Sequence, residues 1–176
     1  RTSMKAREIM TADPARCGPW DTIAHAVDLM IAYDCGSIPV VDPEHGRIVG
    51  IVTDRDIALR VVGGRLDPKS TAVGTVMSQG VVCCRADHDI DEVEQIMRSH
   101  RVRRVPVVDR SGRVVGIIAQ ADLAVRVFSQ RSLLDADSLA RTLERLSEPA
   151  PDRPSLKIPS DYVTAVYRAR GMRLAL

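Results

Sequence analysis

The chain repeats itself, and that constrains its fold more than any other feature. Residues 37–58, SIPVVDPEHGRIVGIVTDRDIA, and residues 104–124, RVPVVDRSGRVVGIIAQADLA, match almost residue for residue. Pro39 falls on Pro106 and Asp42 on Asp109, 67 positions apart. Beyond the hairpin, Gly50 falls on Gly116 and Asp56 on Asp122, 66 apart, because the second loop is one residue shorter. The match extends upstream, where REIMTADPARC (7–17) aligns with GTVMSQGVVCC (74–84), pairing Met10 with Met77 and Cys17 with Cys84. Each unit is about 60 residues, too small to bury the faces of its own sheet and helices, so the two must pack on each other. Packing about a pseudo-two-fold axis creates two symmetry-related clefts. A polar residue at a strand-to-helix junction of one copy then faces the other copy.

One unit can be read locally. A short capping segment ends at the Met, and a short extended piece follows, Ala15–Cys17 or Val81–Cys84. Apolar residues at Ile23, Ala26, Val27, Met30 and Ile31 have helical spacing and predict a helix over Thr22–Tyr33. Its copy, with Ile90, Val93, Ile96 and Met97 on one face, runs Asp89–His100. A hairpin comes next: SIPVV turns through DPEHG into RIVGIV, and RVPVV through DRSG into RVVGII, with Asp, Pro, Ser and Gly supplying the turns. These strands are nearly all apolar, which predicts cover on both sheet faces. A last helix is expected at Asp54–Val62 and at Gln120–Val127. The predicted fold class is therefore α+β: two β-α-β-β-α repeats, at 5–64 and 72–128, with GGRLDPKST between them.

Composition narrows the function. Hydrophobic residues make up 45% and charged residues 27%, a globular balance. Aromatic residues are only 3%, so the core must be aliphatic, and the stacking platforms of a single-strand nucleic-acid binder are missing. A net charge of +2 is too small for a general polyanion binder. No run of about 18 apolar residues predicts a membrane span, and RTSMKAREIM lacks the apolar stretch of a secretion signal. Cys17, Cys35, Cys83 and Cys84 form no CxxC pair and no zinc-finger spacing with the His residues. They read as reduced thiols of a cytoplasmic protein, although a link from Cys17 to Cys83 or Cys84 is open if those segments lie side by side. Trp20 reads as a packing residue near a turn, and His25 and His88 as surface residues. No metal site is expected. The acid pairs Asp54/Asp56 and Asp89/Asp91 fall at expected helix starts, where acids favour the dipole, and no Ser-His-Asp or Cys-His set predicts an enzyme.

The IPVVD and VPVVD strands, their hairpins and the GIVTDRD and GIIAQAD junctions resemble a tandem CBS-domain pair, or Bateman module. Within that family the chain looks like the small stand-alone bacterial proteins that carry no attached enzyme. The family pattern at the junction is Gly-apolar-x-Thr/Ser-x-x-Asp, in which the Asp takes the ribose hydroxyls of an adenosine ligand and the Thr/Ser helps bind ribose or phosphate. The resemblance thus implicates Thr53 and Asp56. The chemistry agrees: a carboxylate suits two vicinal hydroxyls, and free N–H groups at a helix start suit phosphate. Thr53 and Asp56 also form a capping-box variant, and the two roles are compatible. In the family, a basic residue just before the opposite repeat's xPV strand reaches the phosphate. Here HRVRRVPV (100–107) puts Arg103 and Arg104 there, with guanidinium forks suited to phosphate. The base lies against apolar backbone, for which Val81, Val82, Ile51 and Val52 are the candidates; plain core is their other reading.

The second junction departs from the pattern. It keeps Asp122 but has Ala119 where the first has Thr53, and the positions matching the Arg pair are Gly36 and Ser37. One cleft therefore looks complete, and the other looks weak for phosphorylated ligands. The resemblance implies a non-enzymatic, cytoplasmic regulatory module that senses an adenine nucleotide (AMP, ADP or ATP), as a homodimer. Alternatives are a ligand-free CBS dimer that binds an unknown protein partner through its tail, or a binder of S-adenosylmethionine or a dinucleotide. The tail, 130–176, carries Leu133, Leu134, Leu139, Leu143 and Leu146 at helical spacing and predicts a mostly helical extension, interrupted by the Pro-rich PAPDRPSLKIP.

Overall fold

The computed structural model describes residues 4–124, together with Ala140, Arg141 and Glu144. Those last three are helical and exposed, and the rest of the expected extension lies outside the described residues. The elements run β1 (Thr11–Ala12), α1 (Ile23–Ala32), β2 (Ser37–Val41), β3 (Ile48–Thr53), α2 (Asp54–Asp56, continued by a π-helical turn at Ile57–Val62), β4 (Cys84–Arg85), α3 (Ile90–His100), β5 (Arg104–Val108) and β6 (Val114–Ala119). A further helical turn covers 120–124. Thr22 caps α1 by accepting from the His25 N–H, and the Asp89–Glu92 capping box starts α3.

Both repeats build the same sheet. In the second the order is β1-β6-β5-β4, with β5–β6 antiparallel and β4–β5 parallel. In the first, β2 and β3 form the hairpin, Cys17 bridges Val40 in parallel and Ser78 bridges Ile51 in antiparallel fashion. The leading segments are therefore exchanged. Residues 5–12 run onto the second repeat's sheet, where Thr11 pairs with Ile117 and Ala12 with Gly116. Residues 73–78, which open the second repeat in sequence, run onto the first.

The two cores record the exchange. The first gathers Ile23, Ala26, Met30, Ile38, Val40, Val52 and Val61 around Val73 and Val76. The second gathers Val93, Met97, Val105, Val107, Ile118 and Leu123 around Ala6, with Ile9 and Met10 against it. Two glycines make room for this. A Cβ on Gly50 would collide with the Met77 sulfur, and one on Gly116 with the Met10 sulfur. The matched Met–Gly pairs of the sequence are thus contacts between the exchanged segments and the sheets that receive them.

The hairpin tips meet across the pseudo-axis. Arg47 bridges Arg113, Ile48 N–H donates to Gly112 O at 3.3 Å, and Arg113 Nε donates to His45 O at 3.0 Å. In the loops, Asp42 accepts from the backbone N–H of Glu44 and Asp109 from the hydroxyl of Ser111, and these bonds hold both carboxyls below their usual range.

The structure corrects the readings of Trp20 as a packing residue and His88 as a surface residue. Trp20 is 83% exposed and Ile31, on the outer face of α1, 74% exposed. His88 is half-buried, its Nδ1 shut off from solvent, and its carbonyl receives the Ala6 N–H of the exchanged segment. All four thiols are free, and no link joins Cys17 to Cys83 or Cys84, since Cys17 lies in the first core and Cys84 in the second. Burial pushes the thiols of Cys17 and Cys84 up to about 12 and that of Cys83 to about 11. Among the described residues no helix is long and apolar enough to cross a membrane.

Candidate functional site

The first junction is closed by its own side chains. Asp56 Oδ2 accepts from Thr53 Oγ1 at 2.6 Å and from Thr53 N–H at 3.0 Å, and Asp56 N–H donates back to Thr53 Oγ1 at 3.1 Å. The Asp56 side chain is 13% exposed, and its other oxygen lies 3.5 Å from the guanidinium of Arg60. Arg60 also donates to the carbonyls of Val76 and Met77, tying this carboxylate to the exchanged segment 73–78. The second junction keeps half of this arrangement: Asp122 accepts from Ala119 N–H at 2.7 Å, with no hydroxyl to add to it.

The two junctions converge near the axis. Asp54 N–H donates to Gly36 O at 3.1 Å, and Gln120 N–H to Arg103 O at 2.9 Å, the same bond in each copy. A cleft of about 420 Å³ lies there, lined by Asp54, Arg103, Arg104, Gln120, Ala121 and Ala124. Arg104 crosses to the first repeat: its Nη2 is 3.1 Å from the place a Gly36 Cβ would take. Asp54 Oδ2 is 2.7 Å from that same place. Among the described residues neither Arg103 nor Arg104 makes an ion pair, so both guanidinium heads are available to an anion.

The structure therefore brings Arg103 and Arg104 to one cleft, with Asp54 rather than Thr53 or Asp56 on its wall. Thr53 stands one residue before Asp54 and Asp56 two after it, and neither is among the residues that line the cleft. Ile51 is half-buried, and its N–H donates to Ser78 O at 3.0 Å. Val81 and Val82 are half-buried in the segment that leaves the first sheet at Ser78 and joins the second at Cys84. Val52 takes its other reading, plain core: strand alternation turns its side chain into the first core, where it is fully buried. Sequence reasoning left Asp54 as a helix-start acid and passed over Gln120 and Arg60. The mirrored positions Asp54 and Gln120 were the available signal.

The CBS domain family pattern matches residues 6–63 and 73–129. The chain belongs to the CBS-domain family. It is 40% identical over 126 residues to the CBS domain-containing protein YhcV of Bacillus subtilis, covering 72% of this chain and 87% of that one. Its fold is similar to that of Hypoxic Response Protein I, solved with two coordinated zinc ions (TM-score 0.63, 34% identity, 69% of this chain and 98% of that chain). It is also similar to the CBS domain pair of protein MJ0100, solved with 5′-methylthioadenosine and S-adenosyl-L-methionine (TM-score 0.65, 28% identity, 74% of this chain and 99% of that chain). This CBS pair thus shares its fold with a module whose ligands carry an adenosine group.

Proposed function

We propose that this CBS pair is a non-enzymatic regulatory module that binds an adenine nucleotide at its first junction. The observation that carries the reading is the reach of Arg104 from the second repeat to Gly36, whose carbonyl receives the N–H of Asp54 at the first junction. A phosphate held by Arg103 and Arg104 then sits close to the Thr53–Asp56 pair, whose carboxylate suits ribose hydroxyls. The adenosine-bearing ligands of MJ0100 support the nucleoside half of the reading. Binding favours whichever packing of the repeats the ligand bridges, and a partner reads that shift. Four free thiols suit a reducing compartment, the cytoplasm.

Titration calorimetry with AMP, ADP and ATP tests this. The wild type binds at least one of them, and Asp56→Ala loses that binding while remaining folded by circular dichroism. A wild type that binds none of the three ends the proposal.

A second reading concerns assembly. The first repeat exposes Ile31, Tyr33, Leu59, Val62 and Leu66 on and just beyond α1 and the α2 turn. The corresponding face of α3 carries Asp91, Gln95, Arg98 and Ser99. We propose that the apolar face pairs with the same face of a second copy, as closed two-fold symmetry allows.

A further inference from the structure

Among the described residues, Asp54 is the one carboxylate on the wall of the cleft that Arg103 and Arg104 line. It takes no part in the Thr53–Asp56 cap. Its Oδ1 accepts from the N–H of the next residue, Arg55, at 2.7 Å, and its Oδ2 points to the space over Gly36 that Arg104 also approaches. The same position in the other copy is Gln120, which is neutral and lines the same cleft. The cleft therefore offers two positive charges and one negative charge to whatever enters.

We propose that Asp54 is a specificity-determining residue that limits the negative charge of the ligand, favouring an adenosine monophosphate over the triphosphate. The proposal rests on the nucleotide-binding reading above. One phosphate can be neutralised by the Arg pair with its oxygens turned from Asp54. A longer polyphosphate chain brings further charges into the same space, where they meet the carboxylate at short range. At a separation near 6 Å and the screening of a half-open cleft, one such repulsion amounts to about a tenfold loss of affinity. Gly36 belongs to the arrangement, since a side chain there would fill the space that Asp54 and Arg104 share.

The test is the ratio of AMP to ATP affinity, measured by calorimetry in EDTA so that no divalent cation shields the phosphates. In the wild type AMP binds more tightly. Asp54→Asn, which keeps the side-chain shape and leaves the Thr53–Asp56 cap in place, lowers the AMP:ATP preference about tenfold, mainly by tightening ATP. Gln120→Glu adds a second acid at the mirrored position and raises the preference. An unchanged ratio in Asp54→Asn, with both nucleotides still binding, overturns the charge limit and leaves the nucleotide reading standing. Loss of all nucleotide binding in the wild type removes both.

Discussion

Asp56 accepts two bonds from Thr53 on one oxygen and faces Arg60 with the other, so a single carboxylate fastens the end of β3, the start of α2 and the exchanged segment 73–78. In the second repeat, Ala119 leaves Asp122 with the backbone bond alone. Ala119→Thr supplies the missing hydroxyl and should raise stability by up to about 1 kcal/mol, read as a higher urea midpoint at unchanged slope. A lowered midpoint would show that the second junction has no room for the hydroxyl. The Thr-x-x-Asp cap was legible because it is local chemistry. The inward turn of Val52 was legible in principle, since strand alternation sets it. The position of Asp54 on the wall beside Arg104 was not, because it depends on how the two copies meet, which no single repeat encodes.

Helices show a similar division. The spacing and caps of α1 and α3 fixed both within a residue at each end, at Ile23–Ala32 and Ile90–His100. What spacing did not tell is which side of α1 has a partner. Its sequence, IAHAVDLMIA, is apolar nearly all round, whereas IDEVEQIMRSH alternates apolar and charged faces. A helix apolar on every side is ordinarily covered on every side. In the dimer proposed above, Ile31 and Val62, at 74% and 71% exposure, would take their cover from the second copy. Val62→Glu is expected to convert a dimer to a monomer in sedimentation velocity, with nucleotide binding retained. A wild type that sediments as a monomer at tens of micromolar would count against the pairing.

In the whole molecule, the repeat period revealed two units but not the trade between them. The segments ending at Met10 and Met77 have the same pattern, so either could pack on either sheet, and sequence gives no preference. Packing settles it: Met10 lies against Gly116 and Met77 against Gly50. Removing residues 1–12 should therefore damage the far repeat first. Hydrogen exchange should quicken most in β5, β6 and α3, which lose Ala6, Ile9 and Met10 from their core, while β2 and β3 stay more protected. Faster exchange confined to the first repeat would contradict the exchange. The same trade sets an order of events during synthesis. The first core has all its parts once Met77 is made, but Ala6 must wait for Ile118 and Leu123. At ordinary elongation rates that delay is on the order of 10 s, during which Ile9 and Met10 have no sheet to cover them. For that interval a nascent chain carries the apolar segment around Ile9 and Met10 open to chaperones or to neighbouring chains on the same message.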